Sequence, residues 1–378
     1  MIYELPKKNF QIVLDLFDKH KNHPVINGVI EGNNPGKIWV DDLKKPKKSL
    51  LWAQSEEDFF LAGDSTDENF NLELNKLIKT SIKNQATKKG EDSFSLILCS
   101  ESWEKQIAVI FEEIDYIISY SESFELNREK FNLISDWRNR IPSEFELKPV
   151  DKKSFKSIAD EGGRLFSKWW YSFNDFKEKG VGYILVEHDK IISTCFACFA
   201  GANAVEIGIV THPEYLRKGF AFITAAAFIE ECLERNIDPI WHTSKINIPS
   251  QNLALKLGYE KKGEIKSFYF KYDLFDNLYA KAYHTLYTEK DFRKAITNFQ
   301  KALDVGKPKR FFNFHYACAL ALLGERDEAF NRLFLFVSTI SPEILEHIDF
   351  ISNNENLKSL HDDVRWEEFI VTLHKIKK

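Results

Sequence analysis

One stretch of the sequence joins an alternating apolar segment, a basic turn and an apolar-periodic segment, and it restricts the possible folds more than any other stretch. The letters VEIGIV, residues 205–210, alternate as a β-strand does. His212-Pro213 ends that strand, because proline cannot donate a hydrogen bond to a neighbouring strand. The letters EYLRKGFA then lead into a helix that ends near Asn236, with Pro239 soon after. The pattern predicts a strand, a tight turn and a helix.

The turn between this strand and helix has the chemistry of an anion-binding site. A helix N-terminus presents backbone N–H groups and the positive end of the helix dipole. Gly219 permits a ligand to approach the backbone closely, and Ala221 keeps the start of the helix small. Arg217 and Lys218 add formal charge. A single glycine is a weak motif, so this turn alone fits phosphate binding and an ordinary helix start with solvated charges equally well.

A second motif follows at a set distance, and the two together resemble the GNAT acyltransferase superfamily. The family's first motif, V-x-P-x-x-[R/Q]-x-x-G-x-[G/A], is matched by Val210, Pro213, Gly219 and Ala221, with one extra residue between the valine and the proline. The second motif is present as NIPSQNLALKLGY, in Asn247, Ser250, Lys256, Leu257, Gly258 and Tyr259. The resemblance is strong from Gly182 to Tyr259.

The resemblance implies an α+β fold built from two GNAT-like domains with mixed β-sheets. Within the superfamily the chain is similar to a bacterial group that includes zwittermicin-type antibiotic self-resistance acetyltransferases, in which a degenerate first unit precedes an intact one. Residues 1–142, here called the first half, look like the degenerate unit, through PGKIWVDDLKKPKKSLLWAQSEEDFFLAGD. Residues 143–275, the second half, look like the intact unit. Residues 276–378 lie outside the resemblance.

The resemblance also implies the cosubstrate, acetyl-CoA, in a cleft where two parallel strands splay apart. Main-chain groups of the first strand would bind the pantetheine, and amides of the turn would hold the pyrophosphate. The cofactor-binding residues expected on this basis are Ile209, Val210, Thr211, Arg217, Lys218, Gly219, Phe220, Ala221, Asn247 and Ser250. No metal is expected.

Catalysis in this family is implied to be direct attack of an acceptor amine on the thioester carbonyl, which needs a base, an oxyanion donor and an acid. Glu206 is the candidate base, because it stands just before the cofactor-binding segment. The alternative is a solvent-facing strand carboxylate. Gly208 is expected on the same strand face, leaving space for an acceptor. His212 precedes proline and is a poorer candidate, more typical of a residue that shapes the turn.

Two positions depart from the family pattern. Leu216 occupies the Arg/Gln position three residues before Gly219, so the charge for the phosphates must come from Arg217 and Lys218. Ala254 stands where many members have a tyrosine that acts as general acid. Tyr259 is more typical of a core aromatic. No acid can therefore be named, and the thiolate would leave unassisted or through water.

An aromatic cluster lies where GNAT folds place the acceptor-facing helix and loop. Its members are Trp169, Trp170, Tyr171 and Phe173. They are expected either to line an acceptor pocket or to belong to the core, which is the commoner role of aromatic residues at helical spacing.

The C-terminal segment reads as all-helical and carries a repeat. EKDFRKAITNFQKALDVG and GERDEAFNRLFLFV align with Ala295 matching Ala329, a period of 34 residues. This is the tetratricopeptide (TPR) period, but only about two units are present where roughly three are needed for a free-standing array. The segment would then pack on the preceding domain or be capped by residues 341–370. A TPR-like tail predicts either a protein partner or a brace for the fold.

Composition excludes several function classes. A net charge of -5 argues against a nucleic-acid binder, and the basic run KKPKK at residues 44–48 is better explained as a solvated hairpin turn. No apolar run has membrane-spanning length, and the start of the chain lacks a signal-peptide core, so the cytoplasm is the expected location. Five cysteines do not make a disulfide framework. The sequence predicts an N-acyltransferase, or a catalytically reduced acyl-CoA-binding scaffold that uses its tail to bind a partner.

Overall fold

The computed structural model describes residues 1–20, 22–54, 57–134, 136–158, 166–309, 311–339 and 351–376. The chain divides into two compact units. The first consists of Met1–Ile114 with Ile118–Tyr269, and the second of Asp115–Ile117 with Phe270–Lys378. The two predicted halves thus lie in one compact unit, and the domain boundaries expected at residues 142 and 275 stay predictions.

Within the described residues, the strands form a 12-stranded mixed sheet. The strands are β1 (Tyr3–Glu4), β2 (Gly36–Val40), β3 (Lys48–Ala53), β4 (Asp58–Gly63), β5 (Ser93–Leu98), β6 (Ile117–Leu126), β7 (Glu146–Pro149), β8 (Gly182–Glu187), β9 (Lys190–Gly201), β10 (Ala204–Thr211), β11 (Asp238–Ser244) and β12 (Tyr259–Lys271). Their order in the sheet is β1-β2-β3-β4-β5-β12-β6-β11-β10-β9-β8-β7. Strands of the first half therefore continue into strands of the second.

Helices cover the sheet of the first unit. They are α1 (Pro24–Ile30), α2 (Glu68–Leu77), α3 (Lys83–Lys88), α4 (Ile107–Ile110), α5 (Arg128–Asn132), α6 (Lys152–Ser157), α7 (Phe173–Lys179), α8 (Phe220–Glu234) and α9 (Ile248–Lys256). The helix α8 packs on β8, β9 and β10 and is apolar nearly all round, as a helix inside the core must be. Ala225 and Ala226 are fully buried, and these small side chains let α8 lie close to the sheet.

Two of the strand pairs whose register the structure describes are parallel, and they differ in the number of residues that are paired. β4 and β5 remain paired from Asp58↔Ser95 to Leu61↔Leu98. β10 and β11 are paired only from Ala204↔Asp238 to Glu206↔Ile240. Beyond that point β10 stays on β9, while β11 pairs with β6. A cleft therefore opens between residues 207–211 of β10 and residues 241–244 of β11; we call it the splay cleft.

One buried side chain of the first half fastens the two halves together. Asn34 is fully buried, and its Nδ2 donates to the backbone oxygens of Trp169, at 2.7 Å, and Cys198, at 3.0 Å. Its Oδ1 accepts from the Ala200 amide at 2.9 Å. The register of β9 against β10 shifts at this level, between Glu206 and Ile207. Asn34 thus hydrogen-bonds the backbone of β9 where its register against β10 shifts, and this shift lies next to the candidate base Glu206.

The basic run forms the hairpin turn that the sequence predicts. β2 and β3 pair antiparallel around it. Asp42 Oδ1 accepts from the amides of Lys44 and Lys45, and Asp41 Oδ1 accepts from those of Lys47 and Lys48. The lysines before Lys48 are exposed.

From residue 274 onward, the described part of the second unit is helical. Its helices are α10 (Leu274–His284), α11 (Phe292–Val305), α12 (Phe312–Leu323), α13 (Arg326–Thr339) and α14 (Val364–Ile376). α10 packs on α11 and α12 on α13, and the aligned residues Ala295 and Ala329 are both fully buried. The helical expectation holds for these residues, whereas the TPR-like nature stays a prediction. Residues 341–350 of the expected cap lie outside the described residues.

Candidate active site

The turn before α8 has the backbone geometry that its sequence predicts. Gly219 is the N-cap of α8 with φ +88°, a left-handed conformation that favours glycine. A Cβ at this position would meet nothing within 4 Å, so the backbone conformation explains the glycine. Arg217 also lies in the left-handed region, at φ +61°. Arg217, Lys218 and Gly219 are exposed, so the N–H groups of the first helical turn face an open, positively charged surface.

A cavity of about 480 Å³ lies at this helix start, and we call it the basic cavity. Its lining residues are Leu133, Ile134, Asp136, Arg140, Lys218, Gly219, Phe222, Ile223 and Lys256. They carry three cationic side chains against one carboxylate. Arg140 lies with its guanidinium 4.7 Å from the centre of the Phe222 ring and 3.4 Å from Asp136 Oδ1. The cavity therefore has the charge of a phosphate site.

The sequence prediction for this region was incomplete. Lys218 and Gly219 line the basic cavity as expected, whereas the lining does not include Arg217. Arg140 was missed because it belongs to the first half, far away in sequence. Lys256 was recognised as part of the second motif, but its approach to the helix start depends on how α9 is placed.

One wall of the splay cleft is the end of β10. Ile209, Val210 and Thr211 pair with β9, which leaves their other backbone edge without β11 as a partner. Ser193 supports this segment, because its Oγ lies 2.8 Å from Thr211 Oγ1 and 3.3 Å from the Val210 oxygen. A free strand edge of this kind can hydrogen-bond an extended ligand.

The remaining expected cofactor residues have structural roles in the protein. Asn247 caps α9 by accepting from the Ser250 amide at 3.2 Å, and Ser250 Oγ accepts from Trp241 Nε1 at 3.1 Å. The Phe220 ring is buried, with its centre 4.7 Å from that of Phe145, and Ala221 is half-buried behind it. These four positions shape the two helix starts.

The candidate base, Glu206, faces a histidine that the sequence did not single out. His242 Nδ1 lies 3.0 Å from Glu206 Oε1 and 3.1 Å from Oε2. The His242 side chain is 17% exposed and the Glu206 side chain is 13% exposed. Glu206 is the last residue of β10 that pairs with β11, and His242 follows on β11 just past the point where the strands part. The pair therefore lies at the closed end of the splay cleft.

Burial and charge act in opposite directions on His242. Burial alone would lower its pKa, but the Glu206 charge, the hydrogen bond to Glu206 and the Asp58 charge together raise the pKa above its ordinary value. His23 stacks on His242 with ring centres 5.2 Å apart and planes at 20°. Burial, and then the charges of His242 and His20, hold the pKa of His23 well below the ordinary value.

The first half also supplies a carboxyl group. Burial raises the pKa of Asp58 to about 6, and the charges of Glu206 and Glu57 add to the rise. The Ser95 hydroxyl, which hydrogen-bonds the carboxylate, and the His242 charge act in the opposite direction. The site is therefore built from both halves: the Glu206–His242 pair lies with His23, whose positive charge is suppressed by burial, and with Asp58, whose ionisation is shifted by burial to a pKa of about 6.

The space expected beside Gly208 is not open. A Cβ there would lie 2.6 Å from Cys198 Sγ and 2.7 Å from the Phe196 ring, so side chains of β9 fill that side. The expectation of acceptor room at Gly208 is wrong for this reason.

The His212 amide donates to the Ile192 oxygen at 2.8 Å, within the turn that the sequence predicts, and Leu216 is exposed.

The aromatic cluster lies mainly in the core. Trp169 and Trp170 are buried, and Trp170 Nε1 donates to the Ala197 oxygen at 2.9 Å. Phe173 contacts Phe155 with ring centres 5.5 Å apart, and Tyr171 is exposed beneath Lys7 Nζ at 3.8 Å. These positions favour the core alternative for the two tryptophans. Neighbouring residues 159–165 lie outside the described residues.

Other sequence expectations concern groups without a catalytic role. Tyr259 is buried, and its hydroxyl donates to the Pro239 oxygen at 3.1 Å, as expected of a core aromatic. All five cysteines lie within the described residues as buried thiols. Across the described ranges, no cluster of three or more His, Cys, Asp or Glu side chains could hold a metal ion. No helix in the same ranges has the length and apolarity to cross a membrane.

Comparison with known proteins identifies the class. The GNAT acetyltransferase family matches residues 14–268. The chain therefore belongs to this family, whose members transfer an acetyl group from acetyl-CoA to an amine, and it is an N-acetyltransferase. The match ends before α10, so the helical second unit lies largely outside it.

Individual proteins and solved structures are also similar to this chain. An uncharacterized N-acetyltransferase, YdfB, of Bacillus subtilis strain 168 is 24% identical over 270 residues, which cover 71% of this chain and 98% of that protein. The crystal structure of a GCN5-related N-acetyltransferase-like protein from Streptococcus suis 89/1591 has the same fold, with 21% identity, a TM-score of 0.53, and coverage of 69% and 98%. A tandem GNAT protein from the clavulanic acid biosynthesis pathway gives 9% identity, a TM-score of 0.46, and coverage of 72% and 99%.

Proposed function

We propose that this N-acetyltransferase acts on a primary amine of a small molecule or a peptide, by direct attack of the amine on the acetyl-CoA thioester. The observation that carries the proposal is the parting of β10 from β11 directly after Glu206. The parting leaves an edge of β10 without β11 as a partner, and this edge runs from the partly buried carboxylate of Glu206 toward the basic turn of α8. Each of these has a separate task in acetyl transfer.

The cleft and the basic cavity fit the two ends of acetyl-CoA. Main-chain groups of Ile209, Val210 and Thr211 would bind the pantetheine. The amides at Gly219, together with Lys218, Lys256 and Arg140 of the basic cavity, would hold the phosphates. Acetyl-CoA supplies an electrophilic carbonyl carbon and a thiol leaving group.

Glu206 would act as the base. An amine is mostly protonated at neutral pH, so it must lose a proton before its nitrogen can attack the thioester. Glu206 lies where the cleft begins and is 13% exposed, so an acceptor or a bridging water can reach it. A positioned general base contributes on the order of 10²–10⁴ in rate.

The proposal is tested by titrating acetyl-CoA calorimetrically and then measuring free-thiol release with a panel of primary amines. We expect binding of acetyl-CoA and turnover with at least one amine. Glu206→Gln should keep the affinity for acetyl-CoA and lower turnover by about 10²–10⁴, because the amide keeps the shape but not the basicity.

Glu231→Gln is the matched control, because Glu231 is another half-buried carboxylate and accepts from the Tyr183 hydroxyl at 3.3 Å. It should keep normal turnover. Equal turnover of Glu206→Gln and the unmutated protein from pH 6 to 9 would remove Glu206 from the mechanism. Binding of acetyl-CoA without turnover of any amine would favour the catalytically reduced acyl-CoA-binding scaffold instead.

We also propose that the chain belongs to the tandem group that includes zwittermicin-type resistance acetyltransferases. Support comes from a repeated arrangement. In the first half, β4, α2 and β5 form a strand, a helix and a second strand parallel to the first, as β10, α8 and β11 do in the second half. The short acidic segment before α2 replaces the basic turn, as expected of a degenerate unit.

For the second unit we propose a TPR-like repeat that binds a protein partner. Support comes from the 34-residue period of the sequence and from the burial of both Ala295 and Ala329. Small buried residues at matching positions let paired helices pack closely. A pull-down with the full chain, compared with a variant carrying charge reversals on exposed residues of α11, tests this role separately from acetyl transfer.

A further inference from the structure

We propose, resting on the acetyl transfer proposed above, that His242 is the catalytic acid that protonates the departing thiolate. His242 and Glu206 are the two ionisable side chains that meet where β10 and β11 part. One is on each strand, so a thioester in the splay cleft would meet both the base and the acid at the closed end of the cleft, where the two side chains are hydrogen-bonded to each other. The geometry therefore assigns the general acid to His242 on β11.

The positions from which an acid was sought in the sequence cannot supply one. Ala254 is fully buried and has no ionisable group. Tyr259 is 2% exposed, and its hydroxyl is already committed to the Pro239 oxygen. Burial also raises the pKa of Tyr259 well above its ordinary value. A histidine ordinarily titrates near neutral pH, unlike a buried tyrosine, and His242 lies at the cleft.

The groups that face His242 favour its imidazolium form. Glu206 on β10 bonds Nδ1, and Asp58 on β4 adds a second negative charge. His23, which precedes α1, stacks on the ring, and His20 lies beyond it with ring centres 6.4 Å apart. His23 itself is held neutral by burial and by the His242 charge. The proton of this cluster therefore resides on His242, and with Nδ1 bonded to Glu206, Nε2 is the nitrogen available to donate.

The proton transfers balance as follows. The acceptor ammonium first loses one proton to solvent through Glu206, and the amine nitrogen then bonds to the carbonyl carbon. As the C–S bond breaks, His242 Nε2 gives its proton to the sulfur, and Glu206 takes the second proton from the nitrogen. His242 is then neutral and keeps on Nδ1 the proton that bonds Glu206, so Nε2 takes up one proton from solvent while Glu206 releases its proton to solvent, which returns the pair to its starting state. The products are the amide, CoA thiol and one proton.

The test compares two acetyl donors, with the best amine of the panel as acceptor. Acetyl-CoA leaves as an alkyl thiolate, which needs an acid, whereas the thioacetate of 4-nitrothiophenol leaves as a stabilised thiolate, which does not. We expect His242→Gln to lower kcat/KM with acetyl-CoA by about 10²-fold or more and with the aryl thioester by less than about 3-fold. Glu206→Gln should lower both, because the base acts before the leaving group departs.

His284→Gln is the matched control, since His284 is also a half-buried histidine paired with a glutamate, 3.8 Å from Glu289, and is 18% exposed. It should be normal with both donors. Equal losses with both donors in His242→Gln, or no loss with acetyl-CoA, would overturn the assignment. If the unmutated protein acetylates no amine, the proposed function fails first, and this assignment falls with it.

A second measurement uses the unmutated protein and holds even if His242→Gln does not fold. The ratio of kcat/KM for acetyl-CoA to that for the aryl thioester should fall tenfold per pH unit once pH rises above the His242 pKa, because only acetyl-CoA needs the imidazolium. The free fraction of the amine cancels in this ratio. A ratio that is flat from pH 6 to 9 would contradict the assignment.

Discussion

At the scale of single residues, folding makes the carboxyl group of Asp58, whose charge acts on the proposed catalytic residue His242, harder to ionise. The pKa of Asp58 is raised from 3.8 to about 6, chiefly by burial. The folded chain therefore binds this proton more tightly than the unfolded chain does. Stability falls as pH rises from about 4 to 6, and the cost remains in full above that range.

Asp58→Asn should therefore stabilise the protein at pH 7.5 by about 1–3 kcal/mol and have little effect at pH 4, where the carboxyl is protonated in both states. The amide keeps a partner for the Ser95 hydroxyl. Urea unfolding at the two pH values measures the difference. Asp304→Asn, at an exposed position of α11, is the control and should change little at either pH. Equal destabilisation at both pH values would show that Asp58 acts through packing instead.

The sequence singled out Glu206 of the proposed catalytic pair and missed His242 for a physical reason. Glu206 could be chosen because it stands a fixed distance before the glycine turn. His242 follows a buried tryptophan on the next strand, and its approach to Glu206 depends on the three-residue register of β10 against β11. His23 and Asp58 come from the first half and reach the site only through the continuous sheet. Register and long-range sheet order are not encoded in local periodicity.

At the scale of elements, the start of α8 is the part of the site that local sequence predicts best. Strand, turn and helix are set by neighbours in the chain, and the left-handed Gly219 is explained by the turn itself. The cationic residues around the turn come in part from distant segments of the sequence. Lys218 follows from the motif, but Lys256 comes from the end of α9 and Arg140 from the segment before β7.

We expect Lys218→Ala and Lys256→Ala each to weaken acetyl-CoA binding by about 1–3 kcal/mol, because each removes a charged hydrogen bond to phosphate. Arg217→Ala should weaken it less, since Arg217 does not line the basic cavity. Calorimetry at low and high salt gives the values, and the losses should shrink in salt. Lys153→Ala, at the exposed start of α6, is the control. A larger loss for Arg217→Ala than for Lys218→Ala would place the phosphates outside the cavity.

At the scale of the whole molecule, the first compact unit contains the same strand–helix–strand arrangement twice, but the parallel strands part in the second half and stay paired in the first. In the first half β4 and β5 stay paired from Asp58 to Leu61, so no cleft opens between them. The helix that follows β4 is capped by Asp67, whose side chain accepts from the Phe70 amide at 3.1 Å. The N–H groups that would meet a phosphate in the second half meet a carboxylate here.

This difference predicts one acetyl-CoA per chain. The sheet of the first half is closed where the cofactor would enter, and Asp64 and Asp67 place negative charge at the start of α2, which repels phosphate. Calorimetric titration should give a stoichiometry near one, and Lys218→Ala with Lys256→Ala should weaken that single transition. Asp64→Asn with Asp67→Asn should not create a second one, because removing charge does not part β4 from β5. A stoichiometry near two, with one transition insensitive to Lys218 and Lys256, would show that the first half keeps a site of its own.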